Sequence, residues 1–280
     1  MQSNGIPILG QIINYLDRQK INRTASKNSS DRYYKKFKTY DHLVTMMYIV
    51  FSGCTSLREI TSIMHACEGR LNHLGLKHFP KRSTVSDANK RRPSKVFGEI
   101  YFDLLNEYGK FISDSKSNSE TNKLLKIVDS TTISLFGDIL QGVGRNPIDG
   151  RKKGGIKMHT MINALEDVPC LVKFSSAKVH DHTFLKFLKL QKGSIVVFDK
   201  GYVDYLQYKQ WTDEGIYYVT RLKDNANYES IEEFDIEDEV ASGVVKDEKI
   251  SVKKGDNTIE MRKVSYWHDE QKKLYEFITN

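Results

Sequence analysis

Two aspartates in the second half of the chain directly follow short apolar runs. Asp129 follows Ile127-Val128, and Asp199 follows Val196-Val197-Phe198. Such runs predict buried strands, and reactive groups in α/β sheets concentrate where strands end. Because Mg²⁺ and Mn²⁺ prefer oxygen ligands, two carboxylates on neighbouring strands predict a two-metal site for phosphodiester chemistry. The alternative is that each aspartate only caps the turn after its own strand.

The segments around the two acids alternate between strand-like and helical patterns. Three strand-like runs come first, then a helix, a strand, a helix and a last strand, at residues 126–131, 156–162, 170–174, 183–190, 194–199, 203–214 and 216–220. This order predicts an α/β fold in which helices pack against the faces of a mixed sheet.

The net charge of +7 is concentrated in the first 120 residues. They contain 19 Lys and Arg against 11 Asp and Glu, a balance of +8, whereas the remaining residues carry 24 against 25, a balance of −1. A basic segment beside a neutral one favours a polyanionic partner, nucleic acid above all. A solvated basic surface is the alternative.

Apolar residues in the basic segment recur at helical spacing. One helix is predicted over residues 37–51, and Ser56 and Glu59 have the spacing of a capping box at the start of another. A third, short helix is predicted from Thr84, where a further cap is expected, to the residue before Pro93.

Two groups of basic residues are predicted to contact DNA phosphates. The first lies on and beside the third helix, in a basic patch that also includes Lys81, and comprises Arg82, Lys90, Arg91, Arg92 and Lys95. The second lies in or beside a glycine-rich stretch and comprises Arg151, Lys152, Lys153 and Lys157. Solvated surface is the alternative for both groups.

Composition excludes several classes of protein. The longest apolar run is far shorter than the roughly 18 residues that a membrane span needs, and no signal peptide is visible. The three cysteines lack metal-ligand spacing, which excludes a Cys-type zinc domain. We expect a cytoplasmic, nucleoid-associated protein with no membrane partner.

A second group of metal-ligand residue types lies at His159 and at His180-Asp181-His182. Zinc binding is one interpretation of this group. We expect instead that His159 is packed or faces phosphate, and that the run at 180–182 begins a helix.

Three motifs and their order resemble the DDE transposases of the IS4 family. They are Ile127-Val128-Asp129-Ser130-Thr131, Gly155-Ile156-Lys157-Met158-His159-Thr160 and Phe198-Asp199-Lys200-Gly201-Tyr202. The segments 38–43 and 82–89 also look like the helical DNA-binding region of that family. The resemblance covers nearly the whole chain in a consistent order.

The resemblance implies an RNase H-like catalytic core at 121–225, preceded by a helical DNA-binding domain at 1–120 and followed by an incomplete β-rich insertion at 226–280. It implies an enzyme that cleaves DNA at insertion-sequence ends and joins those ends to target DNA. Two Mg²⁺ (or Mn²⁺) ions would be held by Asp129, Asp199 and a glutamate. Water attacks first, and the freed 3′-hydroxyl attacks next. The implied partners are double-stranded DNA and, on that DNA, a second copy of the chain.

The third acid is where the sequence departs from that family. The family pattern of Tyr, two residues, Arg, three residues, Glu, six residues and Lys does not occur after Asp199. The strand-like runs from Val244 onward resemble the insertion that precedes this pattern in the family. We therefore expect a truncated product that ends before the glutamate. Glu229, Glu232 or Glu233 is the alternative third acid in a compact sheet.

Two other functions remain open from the sequence. One is a stand-alone metal-dependent nuclease, which would nick DNA without preference for element ends. The other is a non-catalytic DNA-binding fragment that represses transposition by occupying those ends.

Overall fold

A computed structural model describes the chain at residues 7–69, 71–114, 124–135, 144–145, 153–165, 167–236 and 243–280. The chain divides into two compact units, Met1–Lys110 and Phe111–Asn280. Residues 115–123, around the domain boundary predicted at 120, lie outside the described residues, as do Arg151 and Lys152. No helix within the described ranges is long and apolar enough to cross a membrane.

The first unit is helical, as the sequence predicts. Its described helices are α1 (Ile8–Asn14), α2 (Arg18–Lys27), α3 (Thr39–Phe51), α4 (Leu57–Ala66), α5 (Arg82–Arg91) and α6 (Ser94–Asp114), the last of which reaches beyond Lys110. Val44 of α3 and Ile60 and Met64 of α4 are fully buried. Residues four apart share one helix face, and this spacing produces the core of the unit.

The capping box before α4 is confirmed in its first half. The Ser56 hydroxyl accepts a hydrogen bond from the backbone N–H of Glu59 at 3.2 Å. The Glu59 carboxylate accepts from the backbone N–H of Thr55 at 2.9 Å, one residue earlier than a standard box requires.

Helix α5 begins two residues before the predicted start. Its first residue is Arg82, so Thr84 lies inside the helix rather than capping it. Asp87 forms an ion pair with Arg91 at 2.7 Å, one helical turn later. The prediction that the helix ends before Pro93 is confirmed.

The second unit is built on one mixed sheet. Its described strands are β1 (Leu125–Leu135), β2 (Gly144–Arg145), β3 (Lys153–Asn163), β4 (Val168–Ser176), β5 (Ile195–Phe198), β6 (Tyr217–Arg221), β7 (Glu229–Glu233), β8 (Val244–Lys254), β9 (Asn257–His268) and β10 (Lys273–Thr279). The strands are ordered β2-β3-β1-β5-β6-β10-β9-β8-β7. Strand β4 lies outside this order and pairs with β3.

The predicted order of strands and helices between 126 and 220 is confirmed. Strand β1 is antiparallel to β3 and parallel to β5, and β5 is parallel to β6. Helix α7 (Tyr205–Asp213) connects the parallel strands β5 and β6, as such a crossover requires. The first predicted helix is a 3₁₀ helix at Asp181–Phe187.

The described residues after 226 include four strands, β7 to β10, and these strands continue the same sheet. Strand β10 pairs with β6, with Ile278 opposite Thr220 and Phe277 opposite Arg221. The strands that the resemblance describes as an insertion therefore share main-chain hydrogen bonds with the strands between 126 and 221.

Aromatic side chains hold α7 against the parallel strands. Phe198 of β5, Tyr208 and Trp211 of α7, and Tyr218 of β6 are all buried. The Tyr208 and Tyr218 rings stack with centroids 4.5 Å apart. This packing fixes the carboxyl ends of β5 and β6, where charged residues follow.

Candidate active site

The sheet register brings Asp129 and Asp199 to matching positions. In the parallel pair β1 and β5, Val128 lies opposite Phe198, and the two acids are the next residues. Val128 and Phe198 are buried, whereas both aspartates are exposed. The structure thus places the two predicted acids side by side. Asp199 directly follows the last residue of β5, as expected, but Asp129 lies inside β1, so the strand-end position expected for Asp129 is wrong.

A third charged residue extends this row onto β6. Thr220 lies opposite Phe198 in the parallel pair β5 and β6, and Arg221 follows it. A guanidinium nitrogen of Arg221, Nη2, lies 2.5 Å from Oδ1 of Asp199. Arg221 was missed in the sequence, although it comes one residue after Thr220, just as Asp199 comes one residue after Phe198.

The surroundings of Asp199 keep its side chain ionised. Partial burial on its own raises the pKa of Asp199. The hydrogen bonds from Arg221 and from the backbone N–H of Lys200 outweigh that effect and hold the pKa below its ordinary value. The side chain remains half exposed, so part of the carboxylate is open to a ligand.

Asp129 is less constrained than Asp199. Its Oδ1 accepts a hydrogen bond from the backbone N–H of Ser130 at 2.7 Å. No basic side chain in the described ranges forms an ion pair with it. Its exposed carboxylate is therefore the more open of the two to a cation.

Asp181 is a further carboxylate near Asp129, and the sequence interpretation took it as the start of a helix, with zinc binding as the alternative. Its Oδ1 lies 2.8 Å from Nζ of Lys157 and 3.3 Å from the hydroxyl of Ser130, the neighbour of Asp129. Burial, together with three nearby carboxylates, raises the pKa of Tyr202 to about 12. Those carboxylates are Asp181, Asp129 and Asp199.

His159 is packed below this cluster, which is one of the two placements expected for it. The residue is 1% exposed, and its ring stacks on Phe184 with centroids 5.0 Å apart. Its Nε2 lies 2.9 Å from the Ser175 hydroxyl. Burial lowers the pKa of His159, which keeps the ring neutral at neutral pH. The run at 180–182 does begin a helix, the 3₁₀ helix of this unit.

The described residues contain no group of three or more His, Cys, Asp or Glu arranged to hold a metal ion. The proposed alternatives for the third acid, Glu229, Glu232 and Glu233, lie on β7 at the far end of the sheet. That strand is five positions from β5, about 24 Å along the sheet at the usual spacing. The alternative that one of them completes the site is therefore wrong for this sheet order.

The predicted DNA-binding residues differ in their surroundings. Four residues of the first group, Arg82, Lys90, Arg91 and Lys95, are exposed. In the second group, Lys157 is paired with Asp181 and its side chain is 17% exposed. Lys153 is the first residue of β3.

Arg92 does not fit its predicted role in DNA binding. Its side chain has no exposed surface, lies over the Tyr34 ring, and donates to the backbone carbonyl of Phe37. It also pairs with Asp31 at 3.3 Å. The helix ends before Arg92, so this side chain turns inward while its exposed neighbours on α5 remain in solvent. We therefore remove Arg92 from the predicted DNA interface.

Comparison with known families identifies the class. Residues 120–276 match the family described as the Transposase DDE domain, and residues 4–77 match a domain of unknown function, DUF4372. The first match covers more than half of the chain. The chain belongs to the DDE transposase family.

Two curated relatives carry transposase names. A protein of Sinorhizobium fredii, provisionally named transposase y4zB, is 31% identical over 146 residues, which are 52% of this chain and 38% of the relative. A protein of Synechocystis, provisionally named as the transposase of insertion sequence element IS4SA, is 25% identical over 201 residues, which are 71% of this chain and 51% of the relative. The chain thus spans about half or less of the length of these relatives.

A solved structure is also similar at low identity. It is described as a piggyBac transposase synaptic complex with hairpin DNA, determined by cryo-electron microscopy. The match has 9% identity and a TM-score of 0.39, and it covers 98% of this chain and 60% of that one.

Proposed function

We propose that this chain carries two metal-binding acids of a transposase that cleaves DNA at insertion-sequence ends and transfers the strands to target DNA. The observation that supports this most directly is the row formed by Asp129, Asp199 and Arg221 at matching positions of three adjacent strands. Membership of the DDE transposase family supplies the type of reaction. The motifs around both acids favour the IS4 group within that family.

The carboxylate oxygens of Asp129 and Asp199 are suitable ligands for a divalent cation. Mg²⁺ commonly binds through one or two carboxylates and completes its shell with water and substrate phosphate. Asp129 and Asp199 supply two exposed carboxylates, each one residue after the paired residues Val128 and Phe198. Two such ions, when bound, would activate the attacking oxygen and stabilise the leaving oxygen of a phosphodiester.

The protein's own residues prepare this site. Arg221 orients Asp199 and keeps it ionised, so that it can serve as a ligand at neutral pH. Lys157 offsets the charge of Asp181 beside Ser130, the residue that follows Asp129. A glutamate from outside the described residues is the third ligand in this proposal.

The proposed partners follow from the proposed reaction. Double-stranded DNA, as element ends and as target, would contact basic residues that include Arg82, Lys90, Arg91, Lys95 and Lys157. Two copies of the chain would act together on the DNA. We propose the bacterial nucleoid as its location.

Metal binding tests the assignment of the two acids. Mn²⁺ binding to the full chain is measured by electron paramagnetic resonance for the wild type and for Asp129→Asn and Asp199→Asn. Each substitution removes one ligand, and we expect an affinity loss of at least about tenfold. Asp213→Asn is the matched control, since Asp213 is an exposed aspartate at the end of α7. Unchanged Mn²⁺ affinity in both site variants would refute the assignment.

Plasmid nicking then separates the three candidate functions. Supercoiled plasmids with and without a candidate element end are incubated with the chain and Mn²⁺. Nicking that prefers element ends supports the transposase. Nicking of both plasmids alike supports the nuclease, and salt-sensitive binding of the ends without nicking supports the repressor.

A further inference from the structure

A basic groove of about 650 Å³ opens in the first unit. It forms where the loops that lead into α3 and α5 meet the start of α2. Six of its twelve lining residues are lysine or arginine, namely Arg18, Lys35, Lys36, Lys38, Lys77 and Lys81. Only Lys81 among these six belongs to the basic patch singled out in the sequence, so the groove is largely a separate concentration of charge.

The lining leaves most of this charge uncompensated. Asp41 is the one carboxylate among the lining residues, and it is 9% exposed. It already accepts a hydrogen bond from the backbone N–H of Lys38 at 3.1 Å and pairs with Arg18 at 3.4 Å. The Asp41 carboxylate is therefore already bonded to Lys38 and Arg18 and does not neutralise the remaining lysines.

Four groove lysines have no acidic partner in the part of the chain that the structure describes: Lys35, Lys36, Lys77 and Lys81. All four are exposed. On the sequence-predicted face, by contrast, Arg91 pairs with Asp87 at 2.7 Å and Lys95 pairs with Glu99 at 3.5 Å. The groove thus presents free positive charge, whereas part of the predicted face is already neutralised.

The arrangement of the positive charges in the groove favours a ligand that carries several negative charges. Its cations come from three chain segments and line one open channel, so a ligand with repeated charges can engage several of them at once. The lining also includes Phe79, which is half-buried and offers some apolar surface for sugar carbons between charged contacts. Duplex DNA carries one negative charge per about 1.7 Å of its axis, which matches such a lining.

We propose that this groove binds the sugar-phosphate backbone of double-stranded DNA. The choice of DNA as the polyanion rests on the proposed function, whereas the position of the site rests on the charges and volume of the groove. The groove would then be a DNA contact within the segment that matches the domain of unknown function.

Neutralising the groove lysines tests this proposal. A full-chain variant combining Lys35→Gln, Lys36→Gln, Lys77→Gln and Lys81→Gln is compared with the wild type by fluorescence anisotropy, using a fluorescein-labelled duplex of arbitrary sequence. The matched control removes the same charge from exposed lysines of the second unit, through Lys186→Gln, Lys189→Gln, Lys192→Gln and Lys209→Gln. A variant with arginine at the four groove positions keeps the charge and checks that the groove tolerates substitution.

We expect the glutamine variant of the groove to bind the duplex on the order of 10- to 100-fold more weakly at about 0.1 M salt. The slope of log affinity against log salt should fall by about 0.9 for each phosphate that the groove no longer neutralises. The arginine variant should bind like the wild type, and the control should change by less than about threefold. Wild-type affinity in the glutamine variant, or an equal weakening in the control, overturns the proposal.

Mn²⁺ binding to the same variants separates the groove from the acids. The glutamine variant of the groove should keep wild-type Mn²⁺ affinity, because its substitutions lie outside the second unit. If wild type and groove variant bind the duplex equally, the groove assignment fails and the metal assignment stands. If the wild type does not bind the duplex at all, the groove assignment and the proposed DNA partner both fail.

Discussion

Replacing Glu248 by glutamine should destabilise the second unit by an amount that depends on pH. Glu248 of β8 lies directly opposite Lys263 of β9, and their side chains are 2% and 4% exposed. Lys263 Nζ lies 2.8 Å from Glu248 Oε1, and Ser230 and Lys246 donate to Oε2 at 2.7 and 2.9 Å. Burial alone raises the pKa of Glu248, but these partners outweigh burial and lower it to about 2.

The size of the destabilisation follows from the lowering of the pKa of Glu248. The pKa of Glu248 falls from an ordinary 4.5 to about 2, which corresponds to about 3 kcal/mol of unfolding free energy at pH 7. A lowered pKa stabilises the fold above the unfolded-state value, and the stabilisation is lost as the pH falls through about 2. At pH 3 about 1.5 kcal/mol should remain, so the destabilisation by Glu248→Gln should be about half of that at pH 7.

Urea denaturation followed by tryptophan fluorescence measures this destabilisation. The chain has two tryptophans, Trp211 and Trp267, and both lie in the second unit, so their fluorescence reports on that unit. Glu260→Gln is the control, because Glu260 pairs with Lys249 across the same two strands at 2.7 Å but is exposed. Solvent screens an exposed pair, so the control should be destabilised much less. Equal destabilisation of the two variants, or an effect of Glu248→Gln that is the same at pH 7 and pH 3, would refute the reasoning.

Two further substitutions test the surroundings of the acids and the corrected role of Arg92. Arg221→Gln removes a hydrogen bond that lowers the pKa of Asp199, whereas the burial that raises this pKa remains. Mn²⁺ binding should therefore require a higher pH in the variant than in the wild type. An unchanged pH profile of Mn²⁺ binding would contradict the role of Arg221. Arg92→Met should destabilise the first unit by about 3 kcal/mol in thermal denaturation followed by circular dichroism, because it leaves Asp31 without its buried partner. If the Arg92→Met variant folds but binds a labelled duplex more weakly than the wild type, Arg92 belongs to the DNA interface after all.

The positions of the two acids could be predicted because their signals are local. An apolar run ending in an acid is visible in a few residues, and both Asp129 and Asp199 lie in such a pattern. Their adjacency depends on β1 pairing with β5, which the order of strands suggested and the register established. The resemblance to a known family added the type of reaction, which the pattern alone leaves open.

Asp181 and Arg92 show where local reading fails. Asp181 meets Lys157, 24 residues earlier in the chain, because β3 pairs with β4 and the chain then turns back toward the acids. Arg92 belongs to a run of basic residues, but the run does not show which of its side chains is buried. Arg92 is buried because it comes directly after the last residue of α5 and turns toward the interior. Both outcomes depend on the packing of distant segments, which composition and periodicity do not encode.

The strands after residue 226 also bear on the site, because they fix the strand that holds Arg221. Strand β10 pairs with β6, and Phe277 lies directly opposite Arg221. The neighbouring residue Glu276 accepts from Lys263 at 2.9 Å, the same lysine that pairs with Glu248. A continuous set of main-chain and side-chain contacts therefore runs from the buried ion pair to the guanidinium that orients Asp199. The region that the resemblance describes as an insertion thus supports Arg221, the residue that pairs with Asp199, as well as extending the sheet.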